Sequence, residues 1–340
     1  MPTFSSLDEI SQSLKEMQVP LDVQEVQVTV RPVVLFTRWQ MPDDPLPTCT
    51  SKVGGFPDLP IDFPWPERPA FPDAERRAEQ FRREAERTRA LFEQMVLEPL
   101  FPNEPPTAPV DLDRITAEAE GRCAPLFMSM PLAFVAQLDL AMLSREAGFD
   151  PDLPRTGLIS IFNDVSCEGV TGTHWVFWHD RPATDFARTP PPARLVDYCD
   201  AMMSGGGMEA FGDRTMAETL HPFSAVSMPR HWRSVYALGT DEADAVYDFL
   251  DCQPGAQPST ANAGEDENIS NFGDRLGGWP EDIQGHLEDE IVADYVGAEP
   301  ITAPGQTPWQ QLFSYGAEHW GDTRLMPSPR NGDGNTYIFA

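Results

Sequence analysis

The side chains in this sequence best suited to chemistry are few and widely spaced. His319 and Asp322 flank Trp320. A histidine beside a carboxylate is a minimal acid–base arrangement, and the same pair serves equally as a structural hydrogen bond. Gln137 and Asp139 alternate along the apolar stretch Phe134 to Leu140, and Gln311 occupies the matching place in a similar stretch further on. Polar groups inside an apolar strand must find partners. These three either bind a ligand or satisfy the backbone of neighbouring coil. His174 and His179 bracket the run HWVFWH. In a strand they point to opposite faces, so they do not share a metal ion. Asn331 to Asn335 (NGDGN) spaces oxygen ligands like the opening of a calcium loop, but Thr336 stands where that loop needs glycine, and the segment reads as a tight turn.

The common catalytic signatures are missing. There is no G-x-S-x-G elbow, no G-x-x-x-x-G-K-[ST], no G-x-G-x-x-G and no H-E-x-x-H. Gly205 to Gly207 follows no clear strand and opens onto no lysine, so it reads as a linker. No catalytic residue, metal site or cofactor is expected, and this weighs against an enzyme.

The elements that would position these residues are legible in part. Residues 5–17 pattern as an amphipathic helix capped by Ser6, with Leu7, Ile10 and Leu14 on one face. Val26 to Val30 (VQVTV) alternates as a strand does, and Pro32 predicts an edge strand or a break beyond it. Nine prolines between residues 42 and 72 predict ordered coil lying over a core. Asp73 to Leu97 reads as a helix whose arginines and glutamates pair at i,i+3 and i,i+4, a solvated face and not a nucleic-acid grip. A short helix follows at Asp111 to Glu120. Phe134 to Leu140, Leu158 to Phe162 and His174 to His179 read as strands, the last two as a hairpin. Asp241 to Leu250 reads as a helix capped by Thr240.

Composition narrows the class. The 340 residues are 41% hydrophobic and 23% charged, within the globular range. The amino terminus has no basic start and no apolar core, and no run is long and apolar enough for a membrane helix. The five scattered cysteines contain no C-x-x-C pair and are expected as reduced thiols, which points to the cytoplasm. The net charge is −30, which disfavours nucleic acid and anionic membrane surfaces as partners. Half of that charge lies between Asp241 and Pro300, where sixteen acidic residues meet one basic residue, Arg275. Such a surface steers a basic protein toward it; equally, it keeps a protein soluble.

One pattern recurs. KVGGFP at 52–57 and RLGGWP at 275–280 each combine a basic residue, an aliphatic, two glycines, an aromatic and proline. The first is followed by AQLDL and LISIF, the second by QQLFS and TYIF, with the charged helix inserted only in the first. The repetition predicts an internal duplication within one domain, 1–340, with halves of about 20–200 and 201–340. Chance likeness between six-residue strings is the competing reading.

With SKVGGFPDLP and the PWP after it, FVAQLDL, LPRTGLISIF, GGWPEDIQ, the Gln-Leu strand at 311–312 and Trp320-Gly321-Asp322, the chain resembles the YwqG-like family of bacterial proteins, a domain of unknown function. The patches run from about residue 50 onward. The resemblance implies an α+β fold with two similar β-rich halves around a mixed, largely antiparallel sheet, here with a helical insertion at about 73–98. It brings no established chemistry, although some members are thought of as immunity proteins in bacterial toxin systems. Two functions follow as expectations. One is an acidic, cytoplasmic binding protein, of the immunity or inhibitor kind, meeting a basic protein through a surface that includes Glu265, Asp266 and Glu267. The other is a ligand or catalytic site between the halves, drawing on Gln137, Asp139, Gln311, His319 and Asp322.

Overall fold

The structure is a computed structural model and describes residues 3–4, 6–97, 112–165, 174–203, 216–228, 242–243, 245–246, 249, 274–279, 311–316 and 335–339. The chain starts with β1 (Thr3–Phe4) and α1 (Leu7–Glu16). Ser6 caps α1 by accepting the Glu9 N–H at 3.2 Å, and Ile10 and Leu14 are its buried residues. The stretch VQVTV is not a strand but the body of α2 (Val23–Thr29). Asp22 caps it by accepting the Gln24 N–H at 2.9 Å, and Val23, Val26 and Val30 join one apolar cluster with Phe4, Ile10 and Leu14. Their spacing of three and four is helical, and packing of these three against Phe4 and α1 prevailed over the alternation, leaving Val28 82% exposed.

β2 (Arg31–Pro42) is a twelve-residue strand in the middle of the sheet, so Pro32 neither breaks it nor confines it to an edge. The ladder on one side begins only at Val33, one residue past the missing N–H. The proline-rich coil that follows carries three short strands, β3 (Lys52–Gly54), β4 (Asp58–Pro60) and β5 (Glu67–Arg68). The helical insertion is α3 (Ala74–Leu97) and α4 (Leu112–Cys123), packed together through Ala74, Ala78, Phe81, Cys123 and Leu126. Arg82 reaches Glu120 at 2.7 and 3.1 Å, and Arg83 reaches Glu79 at 2.9 Å, on exposed faces. Buried Arg68 anchors the base of this insertion: it pairs with Asp164 and donates to the carbonyls of Pro69, Pro125 and Met128.

Beyond it come β6 (Met130–Pro131), β7 (Ala133–Asp139), the single-turn α5 (Leu140–Leu143), β8 (Leu158–Asn163), β9 (His174–His179), β10 (Phe186–Arg188) and α6 (Ala193–Met203). β11 (Met216–Ser227), β12 (Arg275–Gly277), β13 (Gln311–Gly316) and β14 (Asn335–Phe339) complete the described elements. Residues 242–243, 245–246 and 249 are helical, within the expected helix there.

Among the described residues the main sheet has ten strands, in the order β14-β13-β12-β2-β11-β3-β7-β8-β9 with β1 added to β11. Every pairing among the described residues is antiparallel, so the sheet is antiparallel and not mixed. Its centre is the pairing of β2 with β11 over twelve consecutive residues, from Arg31↔Ser227 to Pro42↔Met216. β3 lies on the far side of β11 at Ala217 to Thr219, and β12 lies on the far side of β2 at Val33 to Leu35. One face of the sheet carries the main core: Val34, Phe36, Val53, Leu138, Ile159, Ile161, Leu220, Leu276 and Phe313, covered in part by Leu140, Leu143 and Phe149. The other face buries Val33, Leu35 and Ala225, and beyond them Leu59, Leu132, Phe134 and Phe162 under Phe63 and Trp65.

Arg38 shares the main-core face and is buried. It forms a double hydrogen bond to Asp274 and donates to Glu218 at 2.8 Å, so it ties β2 to β11 and to the approach of β12. Burial works against its charge, but the two carboxylates outweigh that and hold the guanidinium charged. Arg38→Met leaves two buried carboxylates without their cation. The expected loss of unfolding free energy is about 3–5 kcal/mol, measured by urea denaturation of the full chain.

Candidate functional site

Of the polar residues singled out from sequence, Gln137 and Asp139 lie beside the first Gly-Gly turn. Gly54 and Gly55 take left-handed φ values of 70° and 67°. A side chain at Gly55 would place its Cβ 2.7 Å from the Asp43 carboxylate, so the position needs glycine for space as well as for angle. Asp43 sits just past β2 and accepts from the Phe56 N–H at 2.9 Å and from the Lys52 ammonium. Lys52 also donates to the Phe56 carbonyl at 2.7 Å and is wholly buried. Burial pulls the Lys52 ammonium below its usual range, with Asp43 and Asp58 opposing that pull.

Gln137 lies opposite Lys52 in the β3–β7 ladder. Its Oε1 accepts from the Asp58 N–H at 2.9 Å, and its Nε2 donates to the Thr50 carbonyl at 2.9 Å and to Asp58 Oδ2 at 2.7 Å. Gln137 thus satisfies the backbone of the proline-rich coil. Asp58 also accepts from the Cys49 N–H and from Arg188 Nε, both at 2.9 Å. Arg188, on β10, continues to the carbonyls of Asp43 and Leu46. Burial works against the Arg188 charge and Asp58 more than restores it, leaving the group above its ordinary value. Burial, aided by Asp58 and Asp139, pushes the Cys49 thiol up to about 12, which makes it a poor nucleophile at neutral pH. Asp139 donates its N–H to Ser51 Oγ at 2.8 Å, and its carboxylate caps α5 at Ala141 and Met142. Two carboxylates and two cations are therefore locked in one clamp that fixes the coil against β7 and β10.

The second Gly-Gly turn has parallel geometry. Gly277 and Gly278 have φ of 73° and 77°, and a Cβ on Gly278 would lie 2.7 Å from Ser227 Oγ. The Trp279 N–H donates to Ser227 Oγ at 3.0 Å, as the Phe56 N–H does to Asp43. Arg275 is buried in the place of Lys52, but the residue opposite it is Ser314. The register therefore corrects the matching of Gln311 with Gln137: Gln311 pairs with Phe339 at the start of β13, three residues before Ser314. His319, Asp322, Glu265, Asp266 and Glu267 lie outside the described residues.

Sequence reasoning did not single out Asp43, Asp58 or Arg188. Arg188 is 130 residues from Asp58, and only the β4–β10 pairing brings them together, so no local pattern marks them. It also passed over Thr219, His221 and Trp39 on the central strands, where buried Thr219 meets two exposed side chains. Thr219 Oγ1 and His221 Nε2 are 3.0 Å apart, and the His221 ring centre is 5.4 Å from that of Trp39.

His174 and His179 fall on opposite faces of β9, as their spacing requires. His179 packs against Phe63 at 4.7 Å and Phe186 at 6.1 Å between ring centres. Among the described residues no group of three His, Cys, Asp or Glu side chains is placed to hold a metal ion, and no helix is long and apolar enough to cross a membrane. Cys49, Cys123 and Cys199 are free thiols.

An antiparallel sheet with paired Gly-Gly turns over buried ionic clamps defines an α+β protein with no recognisable catalytic centre among its described residues. Residues 51–326 match the family described as a domain of unknown function, DUF1963, and the chain belongs to that family. No curated protein and no solved structure matches the chain. The matched region begins at Ser51, directly before β3, so β2 lies outside it although the sheet is built around that strand.

Burial depresses the His174 imidazole to about 4, so the folded state holds it neutral. The unfolded chain takes up its proton near pH 6.5. The stability contributed by the neutral ring is complete above that value and is lost as pH falls toward 4, by on the order of 2–3 kcal/mol. His174 Cε1 and Cδ2 NMR shifts, followed from pH 8 to pH 4, should still be those of the neutral ring at pH 5.5. A midpoint near 6.5 contradicts the burial.

Proposed function

We propose that this protein is a YwqG-like, cytoplasmic, acidic binding module whose partner is a basic protein, in the manner of an immunity or inhibitor protein. The observation that carries this reading is a charge imbalance with little internal neutralisation to spare. The chain has 54 acidic and 24 basic side chains. At least twelve of the basic ones are already paired with carboxylates of the same chain, and Arg38, Lys52 and Arg68 among them are buried. The excess acid is thus available to a partner, and half of the net charge falls between Asp241 and Pro300. Glu265, Asp266 and Glu267 are the contact residues this reading assigns. Saturation of the Gln137 amide within the protein favours binding through a surface over a ligand site at that position.

The same proposal takes the chain as two similar halves descended from one unit. The matched left-handed glycine pairs, the equivalent caps from Asp43 and Ser227, and the reciprocal placement of β3 and β12 on the two long strands support it.

The test is affinity capture by the full chain from lysate of its source organism at low and high salt, read by mass spectrometry. One stoichiometric basic protein released at high salt is expected. Reversing Glu265, Asp266 and Glu267 together to Lys should then slow association with that protein about tenfold while leaving dissociation nearly unchanged. Unchanged association kinetics, or capture of nothing basic at low salt, refutes the assignment.

A further inference from the structure

The strand order of the main sheet alternates between two stretches of chain. β2 and β3 precede residue 204, and β11 and β12 follow residue 215. Yet β11 lies between β2 and β3, and β2 lies between β11 and β12. Each stretch therefore contains a gap one strand wide, and the long strand of the other stretch fills it.

The filling is specific on both edges of each strand. β11 forms twelve pairs with β2 on one edge, and on the other it pairs with β3 at Ala217 to Thr219 and with β1 at Val226 and Ser227. The ties that cross between stretches come in reciprocal pairs. The Leu220 N–H donates to the Ser51 carbonyl at 2.9 Å, and the Phe36 N–H donates to the Asp274 carbonyl at 3.2 Å. Arg38 from the first stretch is clasped by Glu218 and Asp274 from the second. Val33, Val34, Leu35 and Phe36 are each no more than 3% exposed. Without the second stretch, β2 would show two unpaired edges and lose the cover that Ala225, Leu220, Leu276 and Phe313 give these side chains, a condition that folded chains avoid.

We propose that the β2–β11 seam is a strand-exchange interface: the segments 1–209 and 210–340 are each incomplete alone, and each recognises the other as its partner without needing the covalent link. Recognition is β-augmentation in both directions, with backbone ladders supplying affinity and the buried apolar pairs supplying register. This inference is independent of what the protein binds, and it stands or falls separately from the basic-partner reading.

The experiment expresses the complete sequence as two chains from one transcript, 1–209 carrying an affinity tag and 210–340 untagged. The expected result is recovery of both chains at one-to-one stoichiometry, a complex that stays together on gel filtration at about 1 µM, and a single unfolding transition. Introducing Phe36→Asp into the tagged chain should reduce recovery of 210–340 at least tenfold. Absence of 210–340 from the tagged fraction overturns the proposal. So does either chain, expressed by itself, giving a dispersed amide spectrum and its own cooperative melt.

Discussion

The pairing of β2 with β11 is the constraint from which the rest of the arrangement follows. Twelve consecutive antiparallel pairs fix the relative position of two strands some 180 residues apart in sequence. Once that register is set, the outer edges of the two strands accept β12 and β3, and those short strands can add β13 and β7 in turn. Register also decides which side chains enter the main core, because a slip of one residue would exchange Val34 and Phe36 for Val33 and Leu35. Arg38 reinforces that choice, since this register brings both of its carboxylates into contact with it.

A second physical theme is how so much coil is held still. Segments rich in proline lack donors for a ladder, and their carbonyls still need partners when buried. Here long cationic and amide side chains supply them. Lys52 serves the Phe56 carbonyl, Gln137 serves Thr50, Arg188 serves Asp43 and Leu46, and Arg68 serves Pro69, Pro125 and Met128. Each of the three cations is in turn neutralised by a carboxylate: Asp43 for Lys52, Asp58 for Arg188, Asp164 for Arg68. The arrangement uses basic residues for internal structure, which in a chain of net charge −30 leaves the outward-facing charge dominated by acid.

Much of the local structure was legible in the residues themselves. The Ser6 cap, the salt-bridged α3 and the β8–β9 hairpin follow from short-range rules that the tertiary fold did not override. The misreadings share one cause, which is dependence on contacts remote in sequence. Val26 to Val30 fits strand alternation and helical spacing alike, and packing against α1 and Phe4 decides for the helix. Pro32 is excluded from a central strand only if a ladder needs its N–H, and β12 begins one residue too late to need it. The clamp at Asp43, Asp58 and Arg188 is assembled by the β4–β10 pairing, and that Ser314, not Gln311, lies opposite Arg275 is a matter of register that counting along the chain does not reveal.

Native-state hydrogen exchange along the main sheet addresses the central claim most directly. If the seam holds the fold together, the hydrogen-bonded amides of residues 33–41 and 217–226 exchange only through global unfolding and share the largest opening free energy in the chain. If those amides instead open at lower free energy while β7 and β8 remain protected, the seam is a secondary contact between separately stable parts and the account is wrong.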